Sequence, residues 1–419
     1  MKNSRLASIP AIVLSLFAFA STTAFAQSKI ELTMGSWRAD DVAQMTQLLA
    51  AFNQKYPNIT VKFDPTNPPD YNAALHLQLQ TGIGPDLMYA RSYDTGRSIF
   101  KEGYFLDVTD LPGLKSEYSD LARAPWTDEN GRSFAVPFAA VSHGVYYNKD
   151  IFKAQGLSVP TTWEEFLAVC GKLKAAGITP LANGLADQWD INEVVLMNIA
   201  PNFLGGPEGR LAYESGKRAF NDARMVSLFQ AMKDIAQYCP NGFEALTYND
   251  ENAMFATGKA AMYFDGSWTM ASFKDLPFAW SVFAPPPPKG MKGYVTFHPD
   301  SGIAINPNSK NIEAAKTFVE WLYSDDAAAI ISNDVPTGFF PIAANSAPIT
   351  DEHANQFLQM TKSHPTDVRL AWPRLMSGNP SGYNLLQDGA IAVMTGKETP
   401  QQAADALAAG LAQWYKPAD

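Results

Sequence analysis

The residues whose type and spacing come nearest to catalysis are two carboxylate pairs, Asp40 with Asp41 and Asp187 with Asp190. Two acids placed across a glycosidic bond are the machinery of sugar hydrolysis, one protonating the leaving group while the other attacks or activates water. Adjacent or loop acids, however, usually serve as solvated or hydrogen-bonding groups, and nothing nearby supplies a nucleophile. The chain has no G-x-S-x-G elbow, no G-x-x-x-x-G-K-[ST] phosphate cradle and no H-E-x-x-H. Its five histidines are scattered, and no C-x-x-C is present. Catalytic residues, metals and cofactors are therefore not expected. A second pattern suits binding rather than turnover. Trp37, Tyr93 and Trp268 fall at expected carboxyl ends of strands, where open α/β sheets hold ligands. An aromatic face packs on the apolar face of a pyranose, while neighbouring Asp, Arg, Ser and His groups hydrogen-bond its rim. Trp163 and Trp321 lie on helix faces and read as core, and Trp414 reads as the docking face of the last helix.

The elements that must position these rings alternate between strand and helix. Ile30, Leu32 and Met34 are spaced as a strand that delivers Gly35, Ser36 and Trp37. Val42, Met45, Leu48, Leu49 and Phe52 follow at helical spacing, then a strand with Ile59, Val61 and Phe63, a helix near Tyr71 to Gln80, and a strand from Asp86 to Ala90. Such alternation predicts a sheet covered by helices on both faces. A second unit opens near Val136, where VSHGVYYNKD reads as a strand running from one lobe into the next. Thr162 with Glu165 forms a capping-box signature ahead of Phe166, Val169, Cys170 and Leu173, and Gly177 ends that helix. Helices are expected at Met225 to Tyr238, Glu251 to Phe255 and Ile312 to Tyr323, and strands at AAMYFDGSW and at Gly302 to Ile305. Thr399, Pro400 and Gln402 start a final helix that buries Leu407 and Leu411.

Composition narrows the partners. With 419 residues, 46% of them apolar, the chain buries a large core of two or three domains or one two-lobed body. A net charge of −10, from 32 basic against 42 acidic residues, disfavours nucleic acid and anionic lipid. Lys2 and Arg5, the apolar run from Ile9 to Ala20 and Ala24-Phe25-Ala26 read as a cleavable secretory signal over residues 1–26. Gln27, not a cysteine, would then come first, which argues against a lipid anchor and for a soluble exported protein. Whether Cys170 and Cys239 pair or are simply buried stays open.

Together, TGIGPDLM (81–88), GRSFAVPFAAVSHGVYYNKDIFKAQGL (131–157), PTTWEEF (160–166), FATGKAAMYFDGSW (255–268), SGIAINPNSKNIEAAKTFVEWLYS (301–324) and TPQQAADAL (399–407) resemble the extracellular solute-binding proteins of sugar-importing ABC transporters. That family includes maltose-binding and glycerol-3-phosphate-binding proteins. The resemblance implies a two-lobed α/β fold of the periplasmic-binding-protein type (type II-like), with a ligand cleft between lobes joined by crossing strands. It implies lobe closure on a carbohydrate, followed by docking on the importer's permease subunits. Lobe one would comprise 27–138 and 285–334, and lobe two 139–284 and 335–419. Ligand contacts carried over by the motifs are Trp37 and Asp40, Arg91, Ser92 and Tyr93, Ser142 and His143, Trp268, Phe297, His298 and Asp300, Gly338 and Phe339, and Arg369 with Trp372. Trp189 lies in a variable loop where many members place a cleft aromatic. Maltose-type members carry an acid where this chain has Ser142 and His143, which argues against a maltodextrin. Arg91 and Arg369 suit either an anionic group or neutral hydroxyls. The competing reading is a secreted glycosidase.

Overall fold

Alternating apolar residues build the first strands as expected. The computed structural model describes residues 29–333 and 338–417, so the expected export signal at 1–26 lies outside the described residues. Strand β1 (Ile30–Ser36) buries Leu32 and Met34 and pairs in parallel with β2 (Ile59–Pro65) on one side and β3 (Leu87–Arg91) on the other. The helix Val42–Lys55 between β1 and β2 turns Met45, Leu48, Leu49 and Phe52 inward, whereas Val42 at its first turn stays exposed. The remaining strands are β4 (Val136–Asn148), β5 (Thr179–Leu181), β6 (Ala260–Gly266), β7 (Trp280–Phe283), β8 (Val295–Ile305), β9 (Phe340–Pro341) and β10 (Thr366–Asp367). They form one sheet in the order β2-β1-β3-β8-β4-β6-β5, with β10 beside β8 and with β7 and β9 beside β4.

Strand β4 joins the two halves of this sheet. Its first part pairs antiparallel with β8, from Val136 opposite Ile303 to Ser142 opposite Phe297. Its second part pairs with β6, from His143 opposite Gly266 to Tyr147 opposite Met262. Along its length Val141 enters a first core with Phe52, Trp126 and Phe318, and Val145 enters a second core with Phe166, Phe229 and Leu407. Tyr146 enters a third with Phe255, Phe273 and Phe357. Trp163, Trp321, Trp126 and Trp280 are all buried in these cores.

Three local outcomes differ from the expectation. Strand β8 starts at Val295 rather than Gly302, because its inward positions Thr296, His298 and Asp300 are buried polar groups that hide the apolar alternation. The box at Thr162 is half made: its hydroxyl accepts from Glu165 N, but the Glu165 carboxylate turns back to Thr161 N and Oγ1, both at 2.8 Å. The box at Thr399 and Gln402 is reciprocal. Trp414 lies beyond the last helix, Pro400–Leu411, and donates to Pro380 O at 2.7 Å.

The stretch 285–294, assigned by resemblance to the first lobe, hydrogen-bonds instead to second-core elements. Asn202 donates to the Pro285 and Tyr294 carbonyls, and Trp163 N donates to Pro287 O. Cys170 and Cys239 are free thiols, each pushed up by burial. No helix among the described residues is long and apolar enough to cross a membrane.

Candidate functional site

Where β1 and β3 end, two aromatic–guanidinium stacks form. Trp37, buried, meets Tyr71 and Tyr89 edge-on at 5.5 and 5.2 Å, and Tyr71 is pinned by its hydroxyl donating to Tyr89 O at 2.8 Å. The Arg91 guanidinium lies 3.7 Å over the Trp37 ring. Arg38, next in sequence, forks onto Asp41 and lies 4.7 Å over Phe339. The side chain of Asp40 lies outside the described residues. Ser92 Oγ donates to Pro299 O at 3.0 Å. Tyr93 follows with φ of 58°, a left-handed conformation that a side chain other than glycine adopts only under constraint. That turn sends its ring across to the second core, where burial pushes its hydroxyl up to about 12.

The crossing strands add the centre. His143 on β4 and His298 on β8 meet at 3.3 Å between their Nε2 atoms, both fully buried. Alternation along β8 turns His298 and Asp300 to this side and sends Phe297 away, onto Phe340 of the third core. Ser142 is buried, its amide donating to Ser267 Oγ at 3.1 Å, and Ser267 in turn donates to Gly338 O. Gly338 has φ of 95°, and a Cβ there would fall 1.8 Å from Ser267 O, so glycine is required by backbone contact.

Arg369, expected as an exposed cleft arginine, is only 2% exposed. Its Nη1 pairs with Glu193 Oε2 at 2.5 Å, its Nε faces His143 Nε2 at 3.3 Å, and its guanidinium lies 4.8 Å over Trp372 and 5.5 Å over Trp268. Tyr383 donates to the other Glu193 oxygen at 2.8 Å. Trp268 opens the 3-10 turn Ser267–Phe273 and donates from Nε1 to the Tyr248 hydroxyl at 2.9 Å. Its ring does not project freely past Gly266 but folds back over it, since a Cβ at Gly266 would lie 1.9 Å from the ring. Trp268 packs against both the first and the second core. Trp189 is not part of the centre; it packs on Tyr248 at 5.0 Å, one layer behind Trp268.

Trp37, Arg91, His143, Trp268, His298, Asp300, Phe339, Arg369 and Trp372 thus converge where the two cores meet. Among them, Asp300 is pushed up by burial while Arg91, Arg369 and Arg38 pull it down. Burial and Arg369 push both histidines well below the ordinary imidazole range. Arg38, Glu193, Tyr248 and Tyr383 were not singled out from the sequence. Arg38 adjoins Trp37 and Glu193 follows Trp189 by one helical turn, which are signals of position; Tyr383 carries none.

Two of the paired carboxylates have other duties. Asp41 holds Arg38, and Asp187 accepts from Tyr248 N at 2.9 Å. Asp190 is fully buried beside Glu251 and is pushed well up by burial and that neighbour. Burial also holds Glu251 at about 8 and Asp265 at about 7. These folded-state values exceed the unfolded ones, so the folded protein keeps protons that the unfolded chain releases. Their stabilising contribution is complete below the ordinary carboxylate range and declines as pH rises through about 7 and 8. Glu251→Gln retains an acceptor for Gly184 N and is expected to flatten the fall in melting temperature between pH 5 and 8. A slope equal to that of the unmodified protein would contradict this. Among the described residues, no group of three or more His, Cys, Asp or Glu is placed to hold a metal.

The model of the bacterial extracellular solute-binding proteins matches residues 35–329. The chain belongs to this family. As a solute-binding protein it belongs to a transport family, not a family of enzymes. It is 26% identical over 362 residues to the multiple sugar-binding protein of Streptococcus mutans, spanning 83% of this chain and 82% of that one. A maltooligosaccharide ABC transporter solute-binding lipoprotein of Streptococcus pneumoniae is 27% identical over 271 residues, 62% of each chain. The solved structure of the bacterial solute receptor AcbH superposes with a TM-score of 0.82 at 18% identity, covering 93% of this chain and all of that one. The solute-binding protein therefore shares the two-lobed fold that its crossing strands describe.

Proposed function

We propose that this solute-binding protein captures a mono- or oligosaccharide, or a related polyol, between its lobes and delivers it to the permease of an ABC importer. The observation that carries this reading is the convergence of Trp37, Trp268, Trp372 and Phe339 with three guanidiniums at the junction of the two cores. Each guanidinium covers an aromatic face of the kind that packs on a pyranose, so ligand entry displaces arginine from ring and turns its fork to hydroxyls. The names of the streptococcal relatives agree with a sugar. The boundary between lobes is placed on β4 and β8. Residues 285–294 then go with lobe two, and Phe339, Ile342 and Ala343, which pack on the first core, go with lobe one. A glycosidase finds less support, because Asp41 is held by Arg38, Asp187 accepts from the Tyr248 amide, and Asp190 is fully buried.

A thermal-shift panel of neutral and acidic saccharides tests the reading. Ligand at a hundred times its dissociation constant adds about 2.7 kcal/mol, a clear rise in melting temperature. A response to another solute class, with every saccharide silent, would overturn it. Release of product from aryl glycosides at enzyme-like rates would favour the glycosidase.

Export to the periplasm without a lipid anchor completes the proposal, together with action as a monomer. The exported form is expected to begin at Gln27, after the small residues Ala24 and Ala26. Intact-mass spectrometry reads this, and a lipid-modified or uncut terminus would contradict it.

A further inference from the structure

Two charged side chains at the junction of the cores stand without a partner, and they carry opposite signs. Asp300, on β8, is only 5% exposed, and Arg91 ends β3, the neighbouring strand, where it lies opposite Ser301. Adjacent positions of one ladder thus bring the two groups to the same point of the sheet. Among the described residues, neither the Asp300 carboxylate nor the Arg91 guanidinium has a hydrogen-bonded or ion-paired partner; Arg91 has only the face of Trp37 beneath it. Buried polar groups in native proteins are nearly always hydrogen-bonded, so a pair left open in a binding cleft marks what the ligand itself supplies.

The chemistry of that supply is restricted. A carboxylate only accepts hydrogen bonds and a guanidinium only donates them. A hydroxyl does both, its O–H donating to Asp300 and its oxygen accepting from Arg91. Other open groups ask for the same mixture: Trp372 Nε1 is a buried donor without a partner, and Ser142 Oγ is a buried hydroxyl without one.

Charge decides between a neutral and an anionic ligand, which the arginines alone leave open. Asp41 holds Arg38 and Glu193 holds Arg369, so Arg91 is the guanidinium that remains for an anion. Its charge is already answered at a distance. Burial pushes the Asp300 carboxyl up, and Arg91, ahead of Arg369 and Arg38, pulls it down. An anion seated on Arg91 would cancel that field and set two negative charges side by side in a poorly hydrated site. The next charges outward hold no surplus of cations either, since Arg210 lies between Asp367 and Glu214, and Arg97 answers Asp94.

On the saccharide reading given above, which this narrows, we propose that Asp300 sets the charge selectivity of the site: the ligand is an uncharged polyhydroxy compound whose hydroxyls bridge Asp300 and Arg91, and uronates and sugar phosphates are turned away. A neutral ligand completes the hydrogen bonds of both groups and leaves the balance of charge intact. An anionic one satisfies Arg91 at the expense of Asp300. Repulsion of the wrong solute thereby contributes to selectivity alongside attraction of the right one.

Matched pairs test this on the full exported chain: glucose with glucuronate and glucose 6-phosphate, galactose with galacturonate, and neutral oligosaccharides with oligogalacturonates. Calorimetry is run at low salt, where attraction of an anion to Arg91 is strongest. A neutral member is expected to bind, with its charged counterpart about a hundredfold weaker. A charged member that binds as tightly as its neutral counterpart, or a response from acidic saccharides alone, would overturn the selectivity and leave the sugar reading standing. Silence of every saccharide, neutral and charged, would overturn the sugar reading and the selectivity with it. Asp300→Asn keeps the size and one acceptor but removes the charge, and its preference for the neutral member is expected to fall about ten- to a hundredfold. A merely structural Asp300 would weaken both members alike, so an unchanged preference in a folded variant would overturn its role. Should the variant not fold, the matched pairs on the unmodified chain decide.

Discussion

Arg369→Ala is expected to lower folding stability by about 3 kcal/mol and ligand affinity by about a hundredfold. On sequence alone this residue reads as an exposed cleft arginine whose loss would spare the fold. The geometry says otherwise. Arg369 is buried and neutralises Glu193, so truncation leaves a largely buried carboxylate facing only the Tyr383 hydroxyl. It also empties the space between Trp268 and Trp372 and removes the donor to His143. Removing one partner of a buried pair costs more than removing both, because the survivor keeps its desolvation penalty. Arg369→Ala/Glu193→Ala should therefore lose less stability than the single variants sum to, a coupling read by chemical denaturation of all three proteins. Additive losses would show that the pair is too hydrated to matter. Unchanged affinity in calorimetry would remove Arg369 from the site.

Trp268→Ala is expected to move two readouts together: affinity down by about ten- to a hundredfold, and unliganded stability down by about 2 to 3 kcal/mol. The stability loss falls below that of a fully buried tryptophan because the ring is only half-buried. It is not negligible, since the ring packs on both cores and its Nε1 donates to Tyr248. Trp268→Phe keeps an aromatic face but loses that donor, and should recover most of the affinity while leaving Tyr248 with Thr269 and Asp265. Normal stability in Trp268→Ala would mean that the ring is a mobile lid, and normal affinity that it does not touch ligand.

Much of this was legible in residue spacing, and the exceptions share a cause. Strand β2, the first part of β1 and the helix Val42–Lys55 show clean periodicity because one face meets a core and the other meets water, whereas β3 is a short apolar run buried on both faces. No helix or strand was read between Gln188 and Glu214. From Ile191 to Leu204 every residue but Glu193 is buried, so no polar face marks the period of the π turn and helix there. Strand β8 hid its first half for the opposite reason, its buried positions being polar. The site aromatics were visible as residues at strand ends. Their partners were not: which guanidinium covers which ring depends on tertiary packing, which brings Arg369 from near the carboxyl end against His143 on β4. Trp189 and Phe297 illustrate the limit of position alone, one lying a layer behind the site and the other on the opposite face of its strand.

The central claim is that a saccharide occupies the junction of the two cores, on aromatic faces now covered by arginine. The measurement that bears on it most directly is a crystal structure of the protein with the saccharide that gives the largest thermal shift. The account predicts a pyranose ring against Trp268, Trp372 or Trp37, with Arg91 or Arg369 lifted from its ring and forked onto the sugar's hydroxyls. A saccharide bound elsewhere, with the guanidiniums still 3.7 Å over Trp37 and 4.8 Å over Trp372, would contradict it.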